Sequence, residues 1–490
     1  MKEIKFDFNN LFSSSVGALH GVRQEEVAAS SEVILKAHAH LKKIISSRQE
    51  RINLSLEWVN LPFAAKEIIA VIQKLGGEIA KKYEFVLFLG IGGSYLGLKA
   101  AQDALAPWYY NEFAALRKGR PRIYFDGNNL DPDTLAVLLK QLNPKKTFVI
   151  VISKSGETTE TKAAFSVVEP WLKKGAGKNY GRQILAITDP ASGALRQKVN
   201  IEHSKDKLSF RSLPLLKGVG GRFSELNMGL LHLAIIGVKI EQVLAGAASM
   251  RKRCSVADIF KNPAYMYAFL HTILYRKKSK PIAIIMPFSE TLKSTADWYS
   301  QLLAESLGKK YSRKVTSDKF GNETWKMDTA HIVNLGRTPI AARGTNDLHS
   351  IQQNNIEGVN DKVVTFIKVE KFKNEIKIPS ARGILSGKVY SHLLNLAEEA
   401  TEWALVHEQR PSVTIILPEI SPYYWGSLLF FFEMATAFEG ELLNLNAFDQ
   451  PGVEGYKNYM YFKLKKPGLC EKIAAEIKSK PLVKKTKFII

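Results

Sequence analysis

The chain has 490 residues, 46% apolar and 24% charged, with a formal net charge of +22 and two distant cysteines, Cys254 and Cys470, a globular composition with length for two or three domains. The opening MKEIKFDFNN turns polar at once, no apolar run reaches the ~18 residues of a membrane span, and no CxxC pair exists, so a soluble, unexported chain in the cytoplasm is expected, and neither a disulfide framework nor a cysteine zinc site is supported. The positive charge is spread along the chain, denser at LRKGRPR (116–122) and in the tail 463–490; without a zinc finger, an aromatic-interleaved RNA motif or a basic region before heptads, it is read as a solvated bias, with no nucleic acid and no membrane as partner.

In chain order, the first 60 residues read as a helical extension. FVLFLG (85–90), RIYFDG (122–127), TFVIVIS (147–153) and QILAITDP (183–190) read as buried strands separated by helical stretches, the pattern of a parallel sheet. PIAIIMPF (281–288), KVVTFIKV (362–369) and SVTIILPE (412–419) repeat it. The expected fold is α/β, with two tandem domains over 61–245 and 246–438, each a mostly parallel sheet flanked by helices, and a C-terminal arm over 439–490.

Two strand-to-helix turns in the first domain carry chemistry. In FLGIGGSYLG (88–97), Tyr95 sits where a dinucleotide fingerprint needs its third glycine, and Leu98 follows Gly97 where a Walker loop needs lysine, so a nucleotide is disfavoured. Gly93 and Ser94 are instead expected to form one wall of a polar pocket. In SKSGETTET (153–161), a helix expected to begin near Glu157 would aim free amides at the carboxyl end of the sheet. Ser153, Ser155 and Thr158 would add hydroxyl donors there and Lys154 a charge, making a seat for an anion, whereas a single hydroxyl would be read as a helix cap.

Further along, LKSTADWYSQLLAESLG places 296, 299 and 303 on an apolar helical stripe, with Gln301 and Glu305 one turn apart on the opposite face, which spacing alone reads as a solvated surface. In GVGGRFS (218–224), two glycines precede Arg222 and would let its backbone approach a ligand; a surface salt bridge is the ordinary role of such an arginine. His349 follows Asn346 and Asp347, both good N-caps, so its ring is expected near a helix start, where the dipole favours neutral imidazole.

Six blocks, GIGGSYLG (90–97), SKSGETTET (153–161), GVGGRFS (218–224), QLLAESLGK (301–309), GTNDLHS (344–350) and FDQPGVEGYK (448–457), resemble those of the bacterial glucose-6-phosphate isomerase family, in that family's order. The resemblance implies two sugar isomerase (SIS) domains and interconversion of glucose 6-phosphate and fructose 6-phosphate, with no metal or organic cofactor. It implies Glu305 as the base at carbon 2, with Gln301 nearby as a substrate contact, and Arg222 as the group that stabilises the enediolate. His349 and Lys457 would open the sugar ring, and Gln450 would touch substrate. The family's active form is a homodimer in which the histidine comes from the neighbouring subunit. Leu348 and Tyr456 depart from commoner forms of these blocks without removing a functional group. A dual phosphoglucose and phosphomannose isomerase is the nearest alternative, and a non-catalytic sugar-phosphate sensor a more distant one.

Overall fold

The computed structural model describes residues 2–380 and 383–490. Its strands are β1 (Lys5–Asp7), β2 (Phe85–Leu89), β3 (Arg122–Asp126), β4 (Thr147–Ile152), β5 (Ile184–Thr188), β6 (Arg211–Pro214), β7 (Ile282–Pro287), β8 (Lys309–Ser317), β9 (Glu323–Leu335), β10 (Thr338–Ala341), β11 (Lys362–Lys371) and β12 (Ser412–Glu419). Among the described residues, no helix is long and apolar enough to cross a membrane.

The first sheet has the order β3-β2-β4-β5-β6 and is parallel throughout. Every residue of β2 and β4 is buried, which is why both read as unbroken apolar runs: helices cover both faces of such a sheet. Leu87, Val149 and Ile184 pack with Phe165, Val168 and Leu172 of the helix Thr159–Ala176. The second sheet has the order β1-β12-β11-β7-β10 and is parallel except at β1. Its Ile284, Met286 and Phe366 share a core with Leu405 of the helix Tyr390–His407.

Several features depart from the sequence reading. The N-terminal extension is not purely helical: β1 pairs antiparallel with β12, and Phe6 packs 4.4 Å from Phe431, so an apolar anchor outweighs the polar look of the segment. The boundary expected at 439 falls inside the helix Pro422–Leu442, buried from Tyr424 to Gly440, and the one at 245 falls inside the helix Ile240–Arg253. The chain instead forms one compact unit running to Ala447, which holds both large sheets, and a second, Phe448–Ile490. The second unit contains the helices Glu454–Lys463 and Glu471–Ser479, neither of which buries a residue.

The antiparallel hairpin β8–β9 has no counterpart in the sequence reading. Its strands are polar and largely exposed, so they lack the apolar runs that mark the other strands. A polar cluster secures it: His40 Nδ1 lies 2.6 Å from the Glu441 carboxylate and Nε2 2.9 Å from that of Glu323, while Arg313 donates two hydrogen bonds to Glu441. The hairpin leaves the helix Lys293–Leu307, and Lys309 Nζ at its base donates to the carbonyl of Glu305 at 2.8 Å.

Candidate active site

From β2 the chain crosses to β3 on one side, then returns to β4 on the other, so the turns after β2 and β4 diverge around a crevice at the carboxyl end of the sheet. The turn after β2 passes through Gly92, φ +58°, into the helix Gly93–Leu105. A Cβ on Gly93 would lie 2.0 Å from the carbonyl oxygen of Gly221, and one on Gly92 would lie 2.9 Å from Gln301 Nε2. These glycines therefore permit the approach of the Arg222 loop and of the helix bearing Gln301 and Glu305. Ser94 is half-buried in the first turn beside them.

The Arg222 side chain is 2% exposed, so it is no surface salt bridge. Its Nε donates to Ser306 Oγ at 2.7 Å, Nη2 to the carbonyl of Ala447 at 2.6 Å, and Nη1 to Glu305 Oε2 at 3.3 Å. The other carboxylate oxygen of Glu305 accepts from Gln301 Nε2 at 3.1 Å. Ala296, Tyr299 and Leu303 bury the opposite face of that helix, whereas the Glu305 side chain stays 30% exposed. A carboxylate with two oriented donors and open access can meet a ligand without first reorganising. Gln301 Oε1 is buried and has no hydrogen-bond partner among the described residues.

The serine-rich turn lies at the end of β4. Buried Ser153 accepts from the Gly156 amide at 3.0 Å and Ser155 from the Glu157 amide at 3.1 Å. Both hydroxyls therefore hold the turn while keeping their own protons to donate. The helix begins at Thr159, two residues later than expected, with Thr158 as an N-cap that makes no side-chain capping bond. Lys154 is exposed, its carbonyl accepting from Thr188 Oγ1 at 3.1 Å. Thr161 in the first turn of this helix donates to the carbonyl of Gly127, and a Cβ on Gly127 would lie 3.5 Å from the Gly90 amide, so the turns after β2, β3 and β4 are neighbours.

His349 lies three residues before the short helix Gln352–Ile356. It ends the 3-10 turn Asn346–His349 that follows β10, is exposed, and makes no side-chain hydrogen bond among the described residues. Asp347 closes this loop rather than capping a helix, accepting from the Arg343 amide at 2.8 Å. Gln450 and Lys457 belong to the second unit. There Gln450 precedes the 3-10 turn Pro451–Val453, and Lys457 Nζ donates to Glu454 at 2.8 Å. Burial lowers the Lys457 pKa, but the Glu454 hydrogen bond and charge outweigh it, and the ammonium sits above its usual range.

Residues 65–472 match the family model for phosphoglucose isomerase. The chain belongs to the phosphoglucose isomerase family. It is 37% identical over 494 residues to the glucose-6-phosphate isomerase of Carboxydothermus hydrogenoformans, with 99% of each chain covered. It is 36% identical over 431 residues to that of Symbiobacterium thermophilum, covering 86% of this chain and 89% of the relative. A solved structure of a hypothetical protein from Thermus thermophilus matches with a TM-score of 0.77 at 30% identity, over 94% of this chain and 100% of that one. The glucose-6-phosphate isomerase of Chlamydia trachomatis shares the fold, with a TM-score of 0.67 at 24% identity over 86% of this chain and 81% of that one.

In this phosphoglucose isomerase family member, sequence reasoning missed the groups that hold the crevice together. Ser306, Lys309 and the Ala447 carbonyl fix Arg222 and the end of the Glu305 helix. Ser306 and Lys309 stand within the QLLAESLGK block, and their nearness to Glu305 is the signal that was available. The Ala447 carbonyl carries no side-chain signature. Among the described residues, no group of three or more His, Cys, Asp or Glu side chains is placed to hold a metal ion.

Proposed function

We propose that this crevice interconverts glucose 6-phosphate and fructose 6-phosphate through an enediol, with Glu305 as the base that moves a proton between carbon 2 and carbon 1. The observation that carries the reading is the Glu305 carboxylate, held on one oxygen by Arg222 and on the other by Gln301 and left accessible between them. Aldose and ketose are isomers, so no external oxidant or reductant enters the balance: Glu305 takes the proton from carbon 2 and returns one to carbon 1, while the carbon 1 oxygen gains a proton and the carbon 2 hydroxyl loses one, so the carbonyl moves from carbon 1 to carbon 2. Negative charge on the enediolate oxygens would be met by Arg222, whose guanidinium stays protonated throughout. Gly93, Ser94 and Gln301 would line the sugar. Ser153, Lys154, Ser155 and Thr158 would take the phosphate, with amides of the helix that starts at Thr159.

Ring opening would fall to His349 and Lys457, with Gln450 as a substrate contact. An exposed imidazole on a surface turn suits a group given to a neighbouring chain, and the functional unit is proposed to be a homodimer with shared sites, working in the cytoplasm. Incubating purified protein with glucose 6-phosphate or mannose 6-phosphate and measuring fructose 6-phosphate tests the reading. Turnover of glucose 6-phosphate is expected; tight binding without turnover would make the chain a sensor and overturn it.

The phosphate seat has its own test. Replacing both Ser153 and Thr158 by Ala removes two donors to a charged group, each worth ~1.5 to 3 kcal/mol, and should raise KM and weaken 6-phosphogluconate binding roughly a hundredfold or more. Thr158→Ala is the cleaner single variant because Thr158 makes no capping bond, whereas Ser153 also holds the turn. Unchanged binding of 6-phosphogluconate and of inorganic phosphate by the double variant would refute the seat.

A further inference from the structure

Glu225 directly follows the Arg222 loop as the first residue of the helix Glu225–Ile236 and is 2% exposed. Its side chain fills the notch left by Gly97: a Cβ on Gly97 would lie 2.1 Å from Glu225 Cγ and 2.5 Å from Oε1. One turn earlier on the same helix, Gly93 meets the Gly221 carbonyl. The Arg222 loop and the residue that follows it thus seat on the helix Gly93–Leu105 at two glycines four positions apart, which share one face.

The Glu225 carboxyl turns toward the amides of Ser224 and Glu225 and the indole N–H of Trp298, a residue of the helix that also bears Gln301 and Glu305. The two carboxyl oxygens and the indole nitrogen are buried and fall short of hydrogen-bonding geometry. The titratable group facing it is Glu433, 2% exposed on the helix Pro422–Leu442. Neither glutamate takes part in the proposed proton transfers, yet one joint between them and Gly97 is shared by the elements that carry Gly93, Arg222 and Glu305.

We infer that Glu225 is a positioning residue for the isomerisation, its carboxyl group keying the helix of Gly93, the loop of Arg222 and the helix of Glu305 into one geometry. The inference rests on the isomerase reading given above. Burial pushes the Glu225 carboxyl up to about 8, and burial together with the Glu225 charge pushes Glu433 well above the usual carboxylate range. The Glu225 carboxyl is therefore largely protonated at pH 7, and ionising it places charge in a dry interior. Between the ordinary carboxylate value of 4.5 and about 8, the folded chain keeps a proton that the unfolded chain has released. Stability therefore declines as pH rises through that window and levels off above it.

The test compares the parent with Glu225→Gln, a neutral isostere, and Glu225→Ala. The parental kcat is expected to fall reversibly as pH rises through about 8. Glu225→Gln should hold kcat near the parental value at pH 7 and stay level in alkali. Glu225→Ala should lose kcat about tenfold with KM within about twofold, because the phosphate seat is untouched. Retention of the parental alkaline fall by Glu225→Gln, or a parental kcat in Glu225→Ala, would overturn the inference. Thermal melts decide independently of turnover: the Tm advantage of Glu225→Gln over the parent should grow with pH, and a constant difference would overturn it. Absence of turnover in the parent would overturn the isomerase reading instead.

Discussion

Glu305→Gln should reduce kcat ~100-fold or more, because it removes the only proposed base for the carbon-bound proton while keeping the side chain's shape. The variant should fold. Its amide oxygen can still accept from Arg222 Nη1, and its amide nitrogen can meet Gln301 once the Gln301 amide flips to present Oε1, an atom that is buried without a partner among the described residues. Binding of 6-phosphogluconate should stay within about twofold of the parent, since a group acting in the transition state contributes to kcat rather than to uniform binding. Steady-state rates and a titration with that analogue check both halves. A variant with near-parental kcat would remove Glu305 from the chemistry, and one that has lost analogue binding would make it a binding residue.

Mixed dimers should recover activity from two dead parents. In the proposed arrangement each site combines Glu305 and Arg222 of one chain with His349 of the other, as a two-fold interface allows. Pairing a Glu305→Gln chain with a His349→Ala chain collects both defects in one site and leaves the other with every proposed group intact. Co-refolding equal amounts gives about half mixed dimers by random pairing, each with one working site, hence about one quarter of parental activity per chain. Verified mixed dimers as inactive as either parent would place His349 within its own subunit or outside the chemistry.

The legible parts of the molecule were those where one physical rule acted alone. Apolar runs bounded by turn residues gave seven strands, since β2, β4, β5, β7, β11 and β12 are nearly continuous in hydrophobicity and β3 is short but framed by Pro121 and Gly127. The two glycines before Arg222 marked an approach to a ligand and Gly93 a pocket wall, but spacing could not show that Gly93 meets Gly221 or that Gln301 reaches Gly92, because both contacts join segments more than a hundred residues apart. Gln301 and Glu305 read as a solvated face until the fold set Arg222 against them. The hairpin β8–β9 was illegible because its stability comes from the cluster of His40, Arg313, Glu323 and Glu441 rather than from apolar alternation. The helix start near His349 was legible, but not its cap: Asn346 and Asp347 have N-cap chemistry, while the helix begins at Gln352 after Ile351 and the backbone uses Asp347 to close the loop onto Arg343.

The most direct measurement follows the carbon-bound hydrogen. Glucose 6-phosphate incubated with the purified protein in deuterium oxide should yield fructose 6-phosphate carrying solvent deuterium on carbon 1 in part of the product, read by NMR, because a carboxylate base exchanges its proton with solvent while the enediol lasts. Glu305→Gln should suppress both product and label together. Fructose 6-phosphate formed with no deuterium at any extent of reaction would contradict proton transfer through an exchangeable base, and label entering at the parental rate in Glu305→Gln would show that the base is another residue.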